Sequence, residues 1–190
     1  MRDLVVIGAS WGGLHAISEV LGSLPADLPA AVAVAQHRGE DDQELLAPLL
    51  ARASRLPVRD ADDKDRLVPG QALVAPAKYH LLVEGDTVAL STDDPVAFSR
   101  PSIDVLFESA ANARGDRVIG VLLTGANRDG AAGLAAIRRR GGVALVQDPA
   151  GAERPEMPRA GLEACPGAQR RPLADIGPEL GRMCARGTDG

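Results

Sequence analysis

At 190 residues the chain is long enough for one domain with a full core and too short for two. Hydrophobic residues make up 45% and aromatics only 2%, so the core falls to Ala, Val, Leu and Ile, which favours α/β layering over an aromatic-rich β-sandwich. A net charge of −5 argues against a general nucleic-acid surface.

The first thirteen residues organise the rest. The apolar run Leu4-Val5-Val6-Ile7 predicts a strand over residues 3–7, and it leads straight into Gly8-Ala9-Ser10-Trp11-Gly12. That is a G-x-S-x-G match, the pattern of a strand-to-helix elbow that lifts a serine hydroxyl clear of the sheet. A helix over 12–21 would then aim its N-terminal N–H groups at the same spot, suiting an oxyanion or a phosphate. The Gly/Pro-rich stretch 22–29 is a loop. A second buried strand is expected over 31–36, ending at His37. An acidic start at Glu40, Asp41, Asp42 and Glu44 opens a second helix reaching Ala53, with Pro48 as a possible kink.

Short extended pieces are expected at 56–58 and 72–75, with the acidic run 60–65 as a solvated loop. Residues 80–83 and 87–90 flank Glu84-Gly85-Asp86 as an antiparallel hairpin. Ser102 caps a helix through Ala113 that buries Ile103, Leu106, Phe107 and Ala110. A strand over 118–123 then precedes Thr124-Gly125-Ala126-Asn127-Arg128-Asp129-Gly130, and a helix over 131–140 is stopped by Gly141-Gly142. Residues 143–147 are the last clear strand, 149–157 a loop, and 158–164 and 176–184 two short helices. Such alternation predicts a mostly parallel sheet with helices on both sides.

Ser10, His37 and Asp129 each follow an apolar strand and precede a helix, so all three belong to the edge where strand C-termini meet and ligands bind. An alcohol, an imidazole base and a carboxylate are the parts of a hydrolytic triad. Each has a plainer reading: His37 as a loop histidine, Asp129 as the cap of the helix at 131. His15 and His80 are expected on the surface or in packing roles. Cys165 and Cys184 lack metal or redox spacing and read as reduced thiols, so no metal or other cofactor is called for. No leader opens the chain and no run reaches the ~20 apolar residues of a membrane span, which predicts a cytoplasmic protein without membrane insertion.

Several separated stretches carry a family resemblance: Val6-Ile7-Gly8-Ala9-Ser10-Trp11-Gly12-Gly13, Ala35-Gln36-His37, Arg100-Pro101-Ser102-Ile103-Asp104-Val105-Leu106-Phe107, Leu122-Leu123-Thr124-Gly125, Asp129-Gly130-Ala131-Ala132-Gly133 and Met157-Pro158-Arg159. Over about residues 4–183 the sequence resembles the catalytic domain of the CheB-type protein-glutamate methylesterases. The resemblance implies a three-layer α/β/α, doubly wound, mostly parallel sheet with an antiparallel hairpin. It implies hydrolysis of glutamyl methyl esters on methyl-accepting chemotaxis receptors or related methylated signalling proteins, some members also deamidating glutamines.

The family's catalytic residues fall on Ser10, His37 and Asp129. Oxyanion donors are expected among the backbone N–H groups of Trp11, Thr124, Gly125 and Ala126. Arg38, Arg128 and Arg159 are expected in loops bordering the cleft, either steering an acidic substrate helix or simply solvated.

Departures from the family pattern are also visible. Thr124-Gly125 continues as Ala126-Asn127-Arg128 where the family has T-G-M-G, altering the pocket wall. Trp11 replaces a small residue and narrows access. The expected organisation is one catalytic domain over 1–190, its core about 3–185, with no phosphorylatable receiver domain, so that control is absent or comes from a regulator in trans. Two other readings stand beside this one. The first is a CheB-like binding module that kept the fold and lost the chemistry. The second is a nucleotide site on Gly8 to Gly13, disfavoured because G-x-G-x-x-G and G-x-x-x-x-G-K-[ST] are both absent.

Overall fold

In the computed structural model, residues 2–37 and 45–185 are described. Along the chain run β1 (Leu4–Ala9), α1 (Gly13–Ser23), β2 (Ala31–Gln36), α2 (Leu46–Ala53), β3 (Val58–Asp60) and β4 (Ala72–Val74). The hairpin β5 (His80–Glu84) and β6 (Thr87–Ser91) precedes α3 (Ile103–Arg114) and β7 (Val118–Leu122). Then follow α4 (Ala131–Arg139), β8 (Val143–Gln147), α5 (Glu156–Ala164), β9 (Gln169–Arg171) and α6 (Leu173–Ala185). Seven strands form one sheet in the order β3-β4-β2-β1-β7-β8-β9, each pair parallel, while the antiparallel hairpin stands apart as its own two-stranded sheet.

Alternation along the strands sorts the core into two layers. Val5, Ile7, Val32 and Val34 face α1, α2 and α6, meeting Ile17, Leu21, Leu50 and Leu180. Leu4, Val6, Ala31, Ala33 and Ala35 face the other way, toward Ile103, Leu106, Phe107 and Leu134 of α3 and α4. Small residues on that second face let α3 sit close. A Cβ on Gly8 would lie 2.2 Å from Ile103 Cγ2. Gly8→Ala is therefore expected to destabilise the protein by about 1–3 kcal/mol through overpacking; thermal unfolding of the variant checks it.

Where sequence and structure differ, the reasons are local. β1 runs two residues further than expected, through Gly8 and Ala9, because both hold ladder partners in β2. Pro48 is the third residue of α2, where a missing N–H has no intrahelical acceptor to lose. The acidic start expected for that helix lies outside the described residues. β9 escaped the sequence reading because Gln169-Arg170-Arg171 is a polar edge strand with no apolar signature. No helix among the described residues is long and apolar enough to cross a membrane.

The topology makes one crevice. β1 lies between β2, reached through α1, and β7, reached only after α3, so the order in which strands are added to the sheet reverses there. Gly8 pairs with both Ala35 and Leu122, and Ala9 pairs with Gln36. One step further along, Ser10 comes level with His37 on one side and Thr124 on the other.

Candidate active site

Ser10 leaves β1 with its N–H donated to Thr124 O at 2.9 Å, and Gly13 N–H returns to Ser10 O at 2.8 Å, closing the elbow. Gly12 follows in the left-handed region at φ 77°, where a side chain would be strained. His37 leaves β2 beside it, its N–H on Ala9 O at 3.1 Å. Gly8 and Ala35 lie on the α3 face, so alternation turns Ser10 and His37 toward that same face.

His37 and Asp129 are 92 positions apart in sequence, yet His37 Nε2 lies 2.6 Å from Asp129 Oδ2, with side chains 11% and 0% exposed. Three further donors saturate the carboxylate. Ile103 N–H reaches Oδ2 at 2.6 Å, while Ser102 Oγ and Asp104 N–H reach Oδ1, each at 2.9 Å. Asp129 thus caps α3, and the simpler expectation that it caps α4 is corrected: α4 starts from Gly130 with no side-chain cap. Burial alone would raise the Asp129 carboxyl, but the His37 bond and the Asp104 and Ile103 amides outweigh it and hold it below the usual carboxylate range. With Nε2–H donated to this anion, the lone pair of His37 sits on Nδ1. Two groups face it, Asn127 Nδ2 at 3.2 Å and Ser99 Oγ at 3.4 Å.

The same two helices are braced in return. Asp104, in the first turn of α3, accepts Gly133 N–H of α4 at 2.7 Å. Burial, the neighbouring Asp129 charge and Glu108 push the Asp104 carboxyl up to about 6 against the Gly133 amide. An acid whose folded pKa is raised holds its proton more tightly when folded, so its contribution is present at low pH and lost as pH rises through about 6. Asp104→Asn keeps an oxygen for Gly133 without the charge. Its melting temperature is expected to gain on the wild type between about pH 4 and pH 7 and to run parallel above, as a melting series in pH would show.

The loop after β7 forms the opposite wall. Thr124 N–H is committed to Gln147 Oε1 at 2.9 Å and Gly125 N–H to Arg154 O at 3.1 Å. Of the four expected oxyanion donors, Thr124 and Gly125 are thereby corrected, since a paired amide has no hydrogen left to offer. Trp11 and Ala126 N–H have no backbone acceptor among the described residues. Gly125 is squeezed: a Cβ there would lie 2.6 Å from Met157 Cε and 3.0 Å from Ser10 Cβ. This explains the distant Met157 stretch, whose N–H also grips Gly125 O at 2.9 Å.

The Trp11 ring, in a residue 59% exposed, is pinned by Nε1–H to Glu153 Oε1 at 2.9 Å and lies beneath the Arg154 guanidinium, 5.2 Å from its centroid. Arg128 is exposed, 3.8 Å from Glu163. Arg159 is exposed on α5 rather than in a loop, because that helix begins at Glu156. Arg38 lies outside the described residues.

His80 is buried in a packing role, Nδ1 accepting Ser102 N–H and Nε2 donating to Asp94 O, both at 3.1 Å. His15 is exposed beside Glu19. Ser99, Ser102 as a ligand of Asp129, and Arg154 gave no sequence signal, since each acts across a turn or helix end that only the fold creates. Asn127 carried one: an Asn two residues before Asp129 is an Asx-turn pattern, and its Oδ1 accepts Asp129 N–H at 3.1 Å.

Doubly wound α/β proteins that gather a serine elbow and a histidine–carboxylate pair on one sheet edge form, as a class, serine hydrolases. The CheB methylesterase family model matches residues 5–180, and the chain belongs to that family. A relative from Leptospira interrogans is 43% identical over 163 residues, covering 85% of this chain and 84% of its own. The protein-glutamate methylesterase/protein-glutamine glutaminase of Symbiobacterium thermophilum is 38% identical over 187 residues, 98% of this chain but 52% of that protein. The crystal structure of the Thermotoga maritima CheB methylesterase catalytic domain superposes with a TM-score of 0.90 at 29% identity, over 96% of this chain and 99% of that one.

Proposed function

We propose that this protein is a carboxylic ester hydrolase that removes methyl esters from glutamate side chains of chemotaxis-type receptors, with Ser10 as nucleophile, His37 as base and Asp129 as its anchor. The observation that carries the reading is the 2.6 Å bond from His37 to a buried, saturated carboxylate, at a sheet edge where Ser10 emerges one strand away. Ser10 Oγ attacks the ester carbonyl while its proton passes to His37 Nδ1, the nitrogen left unprotonated by the Asp129 bond. Trp11 and Ala126 N–H receive the tetrahedral oxyanion. Methanol leaves with the proton from Nδ1, and water resolves the acyl-enzyme by the same route.

A glutamine side chain would form the same acyl-enzyme with ammonia departing, in keeping with the double name of the relatives. Arg128 and Arg159, both exposed, supply positive charge for an acidic substrate helix, with Arg38 as the third candidate. We assign the activity to one catalytic domain acting in the cytoplasm. Incubation with receptors carrying radiolabelled methyl esters is expected to release volatile methanol. Absence of release from folded protein, with a panel of methylated receptors, would sink the reading.

A further inference from the structure

Asn127 is the residue that the proposed reaction leaves unused, and its side chain is doubly committed. Its Oδ1 accepts Asp129 N–H at 3.1 Å, which fixes the orientation of the carboxamide: the NH2 end must face the other way. That end lies 3.2 Å from His37 Nδ1. The opposite ring nitrogen donates to Asp129 Oδ2, so Nδ1 is an acceptor with a single lone pair. Asn127 therefore bridges the backbone of the anchor and the lone pair of the base. Among the described residues the other group at Nδ1 is Ser99 Oγ, at 3.4 Å, the longer contact. A base whose lone pair is already engaged cannot also take a proton from Ser10.

We propose that Asn127 is a positioning residue that guards the base: at rest its amide holds the Nδ1 lone pair of His37, and Ser10 is activated only when that amide turns away. This inference rests on the hydrolase reading above and adds a resting state to it. The amide has reason to turn once an ester carbonyl enters, because a second acceptor then competes for the same N–H. No covalent change is needed, only rotation of the carboxamide about its side-chain bonds. The family pattern has glycine at this position, which can offer no such donor, so the guard would belong to this chain and to others carrying the same residue.

The test uses Asn127→Ser and Asn127→Ala in the full chain. Serine can still accept Asp129 N–H and keep the turn, but it is too short to reach Nδ1. A fluorophosphonate probe is attacked by Ser10 with its proton passing to His37, so its labelling rate reads how far the Nδ1 lone pair is free. Its labelling rate is expected to rise about 2- to 10-fold in both variants, the factor that one hydrogen bond of ordinary net strength represents. Ser99→Ala, removing the longer contact, should change it less. Proton–nitrogen spectra of the imidazole give a second readout independent of activity: Nε2 protonated in all forms, with the Nδ1 resonance moving when Asn127 is replaced. Equal or slower labelling in a folded Asn127→Ser variant overturns the guard while leaving the hydrolase reading intact. No labelling of Ser10 in wild type or variants overturns both.

Discussion

Ser10→Ala is expected to lower ester hydrolysis by at least about 10³-fold while leaving thermal stability nearly unchanged. The asymmetry follows from how Ser10 is held. Its backbone N–H and C=O make the elbow bonds to Thr124 and Gly13, and both survive the substitution. The hydroxyl contributes none of the bonds that bind Asp129. Methanol release and a melting curve on the same preparation test the two halves together. Turnover like that of the wild type would remove Ser10 from the mechanism.

Asp129→Asn should fail on both counts. Four donors converge on this carboxylate: His37 Nε2–H, Ser102 O–H, and the Ile103 and Asp104 amides. A carboxamide offers one oxygen and one NH2, so its NH2 must face donors or force the imidazole into the other tautomer, placing a hydrogen where the lone pair is needed. Activity should drop by about 10³- to 10⁴-fold. Stability should fall by about 1–3 kcal/mol, since buried groups at the start of α3 lose their acceptor. Because this carboxyl is held below its ordinary range, the stability lost in the variant should be present near neutrality and shrink as the medium is acidified through that depressed value. Denaturant melts at neutral and acid pH would show the difference narrowing. A variant with lost activity and wild-type stability would mean that Asp129 does not anchor α3.

Contrast between these two substitutions locates what each residue does. Ser10 stands at the tip of a strand whose backbone is self-sufficient, so its side chain is free for chemistry. Asp129 is a structural joint as well, because one oxygen serves both the imidazole and the first residue of α3. The Arg100–Phe107 and Asp129–Gly133 stretches, far apart in the chain, are two halves of that joint, closed from the other side by Asp104 on Gly133.

Much of this was legible in residue order alone. Apolar runs marked β1, β2, β7 and β8, because strands covered on both faces must be apolar throughout. Ser102 announced the start of α3, and its side chain does accept from Val105 N–H there. The strand-end positions of Ser10, His37 and Asp129 sent all three to one rim, because parallel strands put their C-termini on one edge. Periodicity and strand direction are local properties, and local properties can be read without coordinates.

Partnership is not local, and the tertiary structure alone decided it. That Asp129 caps α3 and not α4, that Thr124 and Gly125 have spent their amides on Gln147 and Arg154, and that Asn127 reaches the base all depend on which strands became neighbours. β9 joins the sheet through hydrogen bonds to β8 without an apolar face to advertise it. Hydrogen bonds join whatever donors and acceptors packing brings within about 3 Å, and a sequence pattern carries no record of those distances.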